Sequence, residues 1–92
     1  MILNFRSKAL KRFFERGDES QIKADHRQRV RTIIALLNIA TTPEALNKPG
    51  LQLHPLKGNY KGFWAVTVRA NWRVIFCFEG EHAADVDCLD YH

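Results

Sequence analysis

The sequence predicts an α+β fold in which N-terminal helices pack on one face of a small antiparallel sheet. Three observations carry that expectation. Apolar residues recur at helical spacing through residues 7–40, they alternate with a period of two from Trp64 to Leu89, and short turns join the alternating runs so that sequence neighbours pair in space. Residues 1–92 are expected to form a single domain around one core. A hydrophobic content of 46%, with six Phe, two Trp and two Tyr, belongs to a globular chain, since disordered chains lack the apolar residues that offset ordering entropy.

Residues 2–5 read as a short first strand. Ser7 can cap a helix on which Leu10, Phe13 and Phe14 share one face, and Gly17 ends it. A second helix, from about Asp25 to Ala40, buries Val30, Ile33, Ile34, Leu37 and Ala40 and carries Lys23, Arg27, Arg29 and Arg31 near its start. Thr42, Pro43 and Glu44 predict an N-cap and a brief turn of helix, which Pro49-Gly50 ends.

From there the period changes. Trp64, Val66 and Val68, then Val74, Phe76 and Phe78, are the inward positions of a hairpin that turns between Arg69 and Trp72. Glu79-Gly80-Glu81 turns the chain into a last strand, where Ala84, Val86 and Cys88 alternate with Asp85, Asp87 and Leu89. Alternation puts Arg73, Ile75 and Cys77 on the face away from the helices, a face left open for binding. Asp90 follows Val86 and Cys88 inward, and Tyr91 turns outward.

Fourteen Lys and Arg against ten Asp and Glu give a net charge of +4, with cations weighted toward the first two-thirds and acids gathered after Glu79. That asymmetry favours a polyanionic partner. No run approaches the roughly 18 apolar residues of a membrane span and no signal-peptide core is present, so a cytoplasmic protein with no membrane partner is expected. In such a compartment Cys77 and Cys88, which could be neighbours, are expected as buried thiols rather than a disulfide.

Three stretches carry chemistry. The chain closes on Asp90-Tyr91-His92, an acid, a phenol and an imidazole that can all move protons. His54-Pro55-Leu56-Lys57-Gly58 presents an imidazole and an ammonium at a strand end, fixed by proline and turned by glycine. Lys61, Trp64, Arg69, Asn71, Trp72 and Arg73 interleave cations, an amide and aromatics as single-stranded RNA surfaces do, with the aromatic rings assigned to the core.

Metal-free RNA cleavage needs a base for the 2′-hydroxyl, cations for the charged phosphorane and an acid for the leaving 5′-oxygen. His54, His92, Asp90, Tyr91, Lys57, Arg69 and Arg73 could supply all three. His54 or His92 is the base on this reading, with Tyr91 aligning the substrate, because a carboxylate such as Asp90 is a weak base unless burial raises its pKa. His26, His54, His82 and His92 lack spacings such as His-x3-His, so neither a metal nor a cofactor is expected.

These residues resemble the HigB toxins of bacterial type II toxin–antitoxin systems, within the RelE/ParE superfamily. The resemblance covers essentially the whole chain. It rests on Ile2-Leu3-Asn4-Phe5, Leu51-Gln52-Leu53-His54-Pro55-Leu56-Lys57-Gly58, Val68-Arg69-Ala70-Asn71-Trp72-Arg73-Val74-Ile75-Phe76 and Val86-Asp87-Cys88-Leu89-Asp90-Tyr91-His92. It implies helices against a curved antiparallel sheet, and a protein that cuts mRNA in the ribosomal A site. An antitoxin of the HigA type, a helix-turn-helix protein, would restrain it and would be its link to operator DNA. In such toxins the matches to His54, Asp90, Tyr91 and His92 line the active site, Arg73 lies against the scissile phosphate, and Lys57 and Asn71 approach the codon bases. Superfamily membership alone leaves room for a ParE-like inhibitor of DNA gyrase that cuts no RNA. A module that binds RNA or ribosomes without catalysis is the third reading. The arginine-rich start of the second helix is a candidate surface for an acidic antitoxin.

Overall fold

Ser7 sits in extended conformation and its hydroxyl accepts a hydrogen bond from the Leu10 amide at 3.2 Å, which starts α1 (Lys8–Arg16). Gly17, at φ +69°, closes it by donating to the Phe13 carbonyl. The computed structural model describes residues 1–90, so Tyr91 and His92 lie outside the described residues. Of the three apolar residues expected to share the buried face of α1, only Leu10 is fully buried. Phe13 is half-buried against the core, and Phe14 turns outward with its ring 5.4 Å from that of Phe5. A single short helix seats one narrow stripe, and Leu10 takes its centre.

The second helical segment opens with a 3₁₀ turn, Ala24–His26, and continues as α2 (Arg27–Ile39), which buries Val30, Ile33, Ile34 and Leu37. The chain between the helices is braced by side chains. The Glu19 carboxylate receives two hydrogen bonds from Arg31, one of them 2.7 Å long, and Arg27 donates to the Ile22 carbonyl at 3.0 Å. Those hydrogen bonds hold the Glu19 carboxyl below its ordinary 4.5. A carboxylate depressed on folding adds stability above its unfolded pKa and loses it as the pH falls through the folded value. The urea midpoint of wild type should therefore exceed that of Glu19→Gln at neutral pH, and the gap should close as the pH drops below about 4.5. Thr42 makes no capping hydrogen bond through its side chain, and the helix expected after it is a 3₁₀ turn, Pro43–Leu46, that buries Leu46. Leu46 docking on α2, rather than a cap, holds that turn.

Four antiparallel strands follow in the order β1 (His54–Pro55), β2 (Trp64–Arg69), β3 (Trp72–Glu79) and β4 (His82–Asp90). Val66 lies opposite Val74, and Val74 opposite Cys88, so the inward row is apolar. Phe76, Val66, Val74 and Val86 meet Ile33 and Leu37 of α2 in the main core. Residues 2–5 do not form a continuous strand. They run parallel to β4 and make two isolated bridges, Ile2 to Ala83 and Phe5 to Val86, because β4 carries a bulge where Asp85 adopts φ +51°. The Asn4 side chain fills the break, donating to Asp85 Oδ1 at 2.9 Å and accepting from the Asp85 amide at 2.8 Å. This segment covers the outer edge of β4.

The face away from the helices is not bare. Ala65 and Ile75 are apolar on that side, and Leu56, Tyr60, Phe63 and Leu89 cover them in a second, smaller cluster. The Leu56 amide donates to the Phe63 carbonyl at 2.9 Å and closes the loop that provides this cover. The expectation of an open face therefore holds only at its margins. Cys77 and Cys88 are free thiols on opposite faces of the sheet, which removes the expected neighbourhood, and both are half-buried.

Arg69 and Trp72 pair across a two-residue turn in which Ala70 holds φ +51°. Left-handed backbone costs an L residue about 1–2 kcal/mol. Ala70→Gly should raise stability by up to about 1 kcal/mol, part of the relief being offset by the freer unfolded chain. Urea denaturation of the two proteins checks this. Among the described residues no helix is long and apolar enough to cross a membrane.

Candidate functional site

His54 lies on β1 opposite Ala65 of β2, and Arg73 lies on β3 between Thr67 and Leu89. Strand alternation puts both residues on the face away from the helices, as the sequence indicates for Arg73. They stand two strands apart and two residues along, which ordinary strand spacings convert to roughly 12 Å between Cα atoms. The Leu56, Ala65 and Ile75 cluster lies on the same face and gives it an apolar floor.

The His54 ring is half-buried, and its Nδ1 lies 2.8 Å from the Gln52 carbonyl oxygen. A carbonyl can only accept, so Nδ1 must carry the proton. In the neutral ring Nε2 is then left as the acceptor. Gln52 itself is held by Thr67, whose hydroxyl donates to Gln52 Oε1 at 3.0 Å. Neither Gln52 nor Thr67 stood out in the sequence. No local signal marks them, because Gln52 leaves extended backbone at φ +55° and Thr67 lies fifteen residues further along the chain.

Arg73 braces the hairpin with one guanidinium nitrogen. Nη1 donates to the Ala70 carbonyl at 2.6 Å and to the Trp72 carbonyl at 3.2 Å. Its Nε is enclosed and has no hydrogen-bond partner among the described residues. A buried donor without a partner costs about 1–3 kcal/mol.

Lys57 and Lys61 flank the 3₁₀ turn Gly58–Tyr60 and are exposed at the edge of the loop that covers the apolar floor. Asn71 is exposed in the β2–β3 turn. Arg69 is exposed in the same hairpin and pairs with Asp25 at 3.3 Å, in a cleft of about 660 Å³ that Arg29, Lys48 and Thr67 also line. An exposed pair of this kind is weak and screened by water, so the Arg69 guanidinium can exchange a carboxylate for a phosphate.

The remaining sequence candidates are less close together. Asp90 falls in the row of Arg69 and Trp72, on the side of Trp72 rather than that of Arg73, and is exposed at the end of β4. Tyr91 and His92 lie outside the described residues. Trp72 is half-buried between the Lys23 ammonium, 4.7 Å from its ring centre, and the buried His26 ring at 5.6 Å. Trp64 packs against the main core, so both tryptophans serve the fold as expected. The arginines at the start of α2 are tied down. Arg27 and Arg31 brace the preceding loop, and Arg29 donates to the Gly50 carbonyl at 3.1 Å.

Thiol chemistry has no support here. Burial, with the Asp87 carboxylate beside it, pushes the Cys88 thiol up to about 11, and burial with Asp85 raises Cys77 as well. Among the described residues no group of three or more His, Cys, Asp and Glu side chains is arranged to hold a metal ion. An imidazole whose Nε2 is left as the acceptor and a guanidinium, on one face rimmed by cations, suit proton abstraction beside a phosphate.

Comparison with known proteins gives the family and the fold. A family model described as the RelE-like toxin of type II toxin–antitoxin system HigB matches residues 3–92. The curated protein named Endoribonuclease HigB, of Proteus vulgaris, is 40% identical over 92 residues, covering all of both chains. The crystal structure of YafQ from E. coli strain BL21(DE3) shares the fold, with a TM-score of 0.61 and 18% identity over 95% of this chain and 87% of that one.

Proposed function

This chain belongs to the HigB family of RelE-like toxins of type II toxin–antitoxin systems, and on that premise we propose that it is a metal-independent, ribosome-dependent endoribonuclease that cuts mRNA in the A site. The observation that carries this reading is His54, held with Nε2 as acceptor on the face that bears Arg73. Nε2 takes the proton of the 2′-hydroxyl, and the freed oxygen attacks the adjacent phosphorus. Arg73 binds the non-bridging oxygens, whose charge rises in the phosphorane. The bond to the 5′-oxygen then breaks, and that oxygen takes a proton from an acid that we assign to Tyr91 or His92, with Asp90 beside them at the end of β4. The products are a 2′,3′-cyclic phosphate and a 5′-hydroxyl. Lys57, Lys61, Arg69 and Asn71 are the proposed contacts to the flanking nucleotides.

A type II toxin has an antitoxin partner. For this chain we assign that role to a HigA-type helix-turn-helix protein, through which alone operator DNA is bound, and we place the pair in the cytoplasm. The ribosome and mRNA are the other partners.

Primer-extension mapping of a defined mRNA in a purified translation system, with and without ribosomes, tests the reading. Cuts within codons that require ribosomes and His92 are expected. Intact mRNA from folded protein, together with toxin-dependent DNA breaks in a gyrase assay, would replace the nuclease by a gyrase inhibitor.

A further inference from the structure

We propose that Gln52 and Thr67 are positioning residues that lock His54 in the tautomer a base requires; this rests on the assignment of His54 as base. Three contacts converge on one short segment. Gln52 adopts φ +55°, a left-handed conformation that costs an L residue about 1–2 kcal/mol and persists where surrounding contacts over-determine it. Those contacts come from β2. The Thr67 amide donates to the Leu51 carbonyl at 2.7 Å, and the Thr67 hydroxyl donates to Gln52 Oε1 at 3.0 Å. One strand residue thus grips the segment through both its backbone and its side chain.

The consequence reaches the imidazole. In a regular extended strand successive carbonyls alternate across the ladder, and the one at Gln52 would pair sideways rather than meet a ring two residues on. The left-handed turn at Gln52 brings its carbonyl within 2.8 Å of His54 Nδ1. An imidazole without such a partner carries its proton mainly on Nε2, which leaves that nitrogen unable to accept. The Gln52 carbonyl reverses the preference, and it keeps its bond to Nδ1–H when Nε2 becomes protonated during the reaction. Pinning one nitrogen also fixes the ring plane, so the Nε2 lone pair keeps one direction.

The test reads the tautomer directly. Nitrogen-15 NMR of the labelled toxin, at a pH where His54 is neutral, should show Nδ1 protonated and Nε2 as the acceptor. Thr67→Val removes the hydroxyl at nearly constant shape and should mix the two tautomers. In the translation system it should lower kcat about tenfold, less than the 10²–10⁴ that loss of the base itself would cost, with KM unchanged. Thr67→Ser, which restores the hydroxyl, should return both readouts to wild type. A wild-type ring protonated mainly on Nε2, or a tautomer and kcat that Thr67→Val leaves unmoved, would overturn the proposal. If instead Thr67→Val shifts the tautomer while His54→Ala cuts mRNA as fast as wild type, the hold on the ring stands and it is the assignment of His54 as base that falls.

Discussion

Arg73→Ala is expected to slow mRNA cleavage about 10²–10³-fold, the usual loss when one donor to a developing anionic oxygen is removed. Arg73 stands on the face shared with His54, and its enclosed Nε lacks a partner among the described residues while Nη1 is already committed to the hairpin carbonyls of Ala70 and Trp72. That division of labour bears on how the variant is read. Loss of Nη1 loosens the turn, so cleavage must be compared at matched folded fraction, measured by urea denaturation. Arg73→Lys keeps a charge but loses the planar fork, and it should fall between wild type and alanine. A cleavage rate for Arg73→Ala within threefold of wild type, in folded protein, would remove Arg73 from the phosphate.

Phe76→Ala should have the largest effect on the fold, a loss of about 3–5 kcal/mol. Phe76 is the largest fully buried side chain among the described residues and lies where β3 meets the helices, with its strand partner Trp64 on one side and Phe78 at 6.1 Å. Domains of this size have about 5–15 kcal/mol in total. Each kilocalorie moves the melting temperature of such a domain by about 4–8 °C, so the variant should melt well over ten degrees below wild type. It should also lose toxicity in cells through loss of abundance, with cleavage by the folded fraction unchanged. The contrast with Arg73→Ala separates damage to the fold from damage to the site. A melting temperature within a few degrees of wild type would mean that the core closes over the missing ring.

Much of the scaffold was legible in the chain because the signals are local. Ser7 and Gly17 bound α1 through contacts no more than four residues long. The spacing of Val30, Ile33, Ile34 and Leu37 identifies the buried side of α2, and the alternation around Val74 and Phe76 gives the facing of Arg73. Local signals also misled. Phe14 satisfies the helical stripe and still points outward, and Thr42 has the chemistry of a cap without making its bond.

The candidate site divides along the same line. Its residue types, an imidazole at position 54 and a guanidinium at position 73, are written in the sequence, and so is their common face once the strands are recognised. The partner of the His54 ring was decided by the tertiary structure, through a left-handed backbone at Gln52, whose side chain meets a hydroxyl fifteen residues away on Thr67. The same holds for the Asn4 to Asp85 staple, which joins positions 81 apart, and for Leu56 and Phe63 roofing a sheet face that alternation alone leaves open. Periodicity and capping report forces that act within a turn or a strand. Tautomers, ion pairs and covered faces depend on which distant residues the fold brings within about 3–4 Å, and only packing in three dimensions sets that.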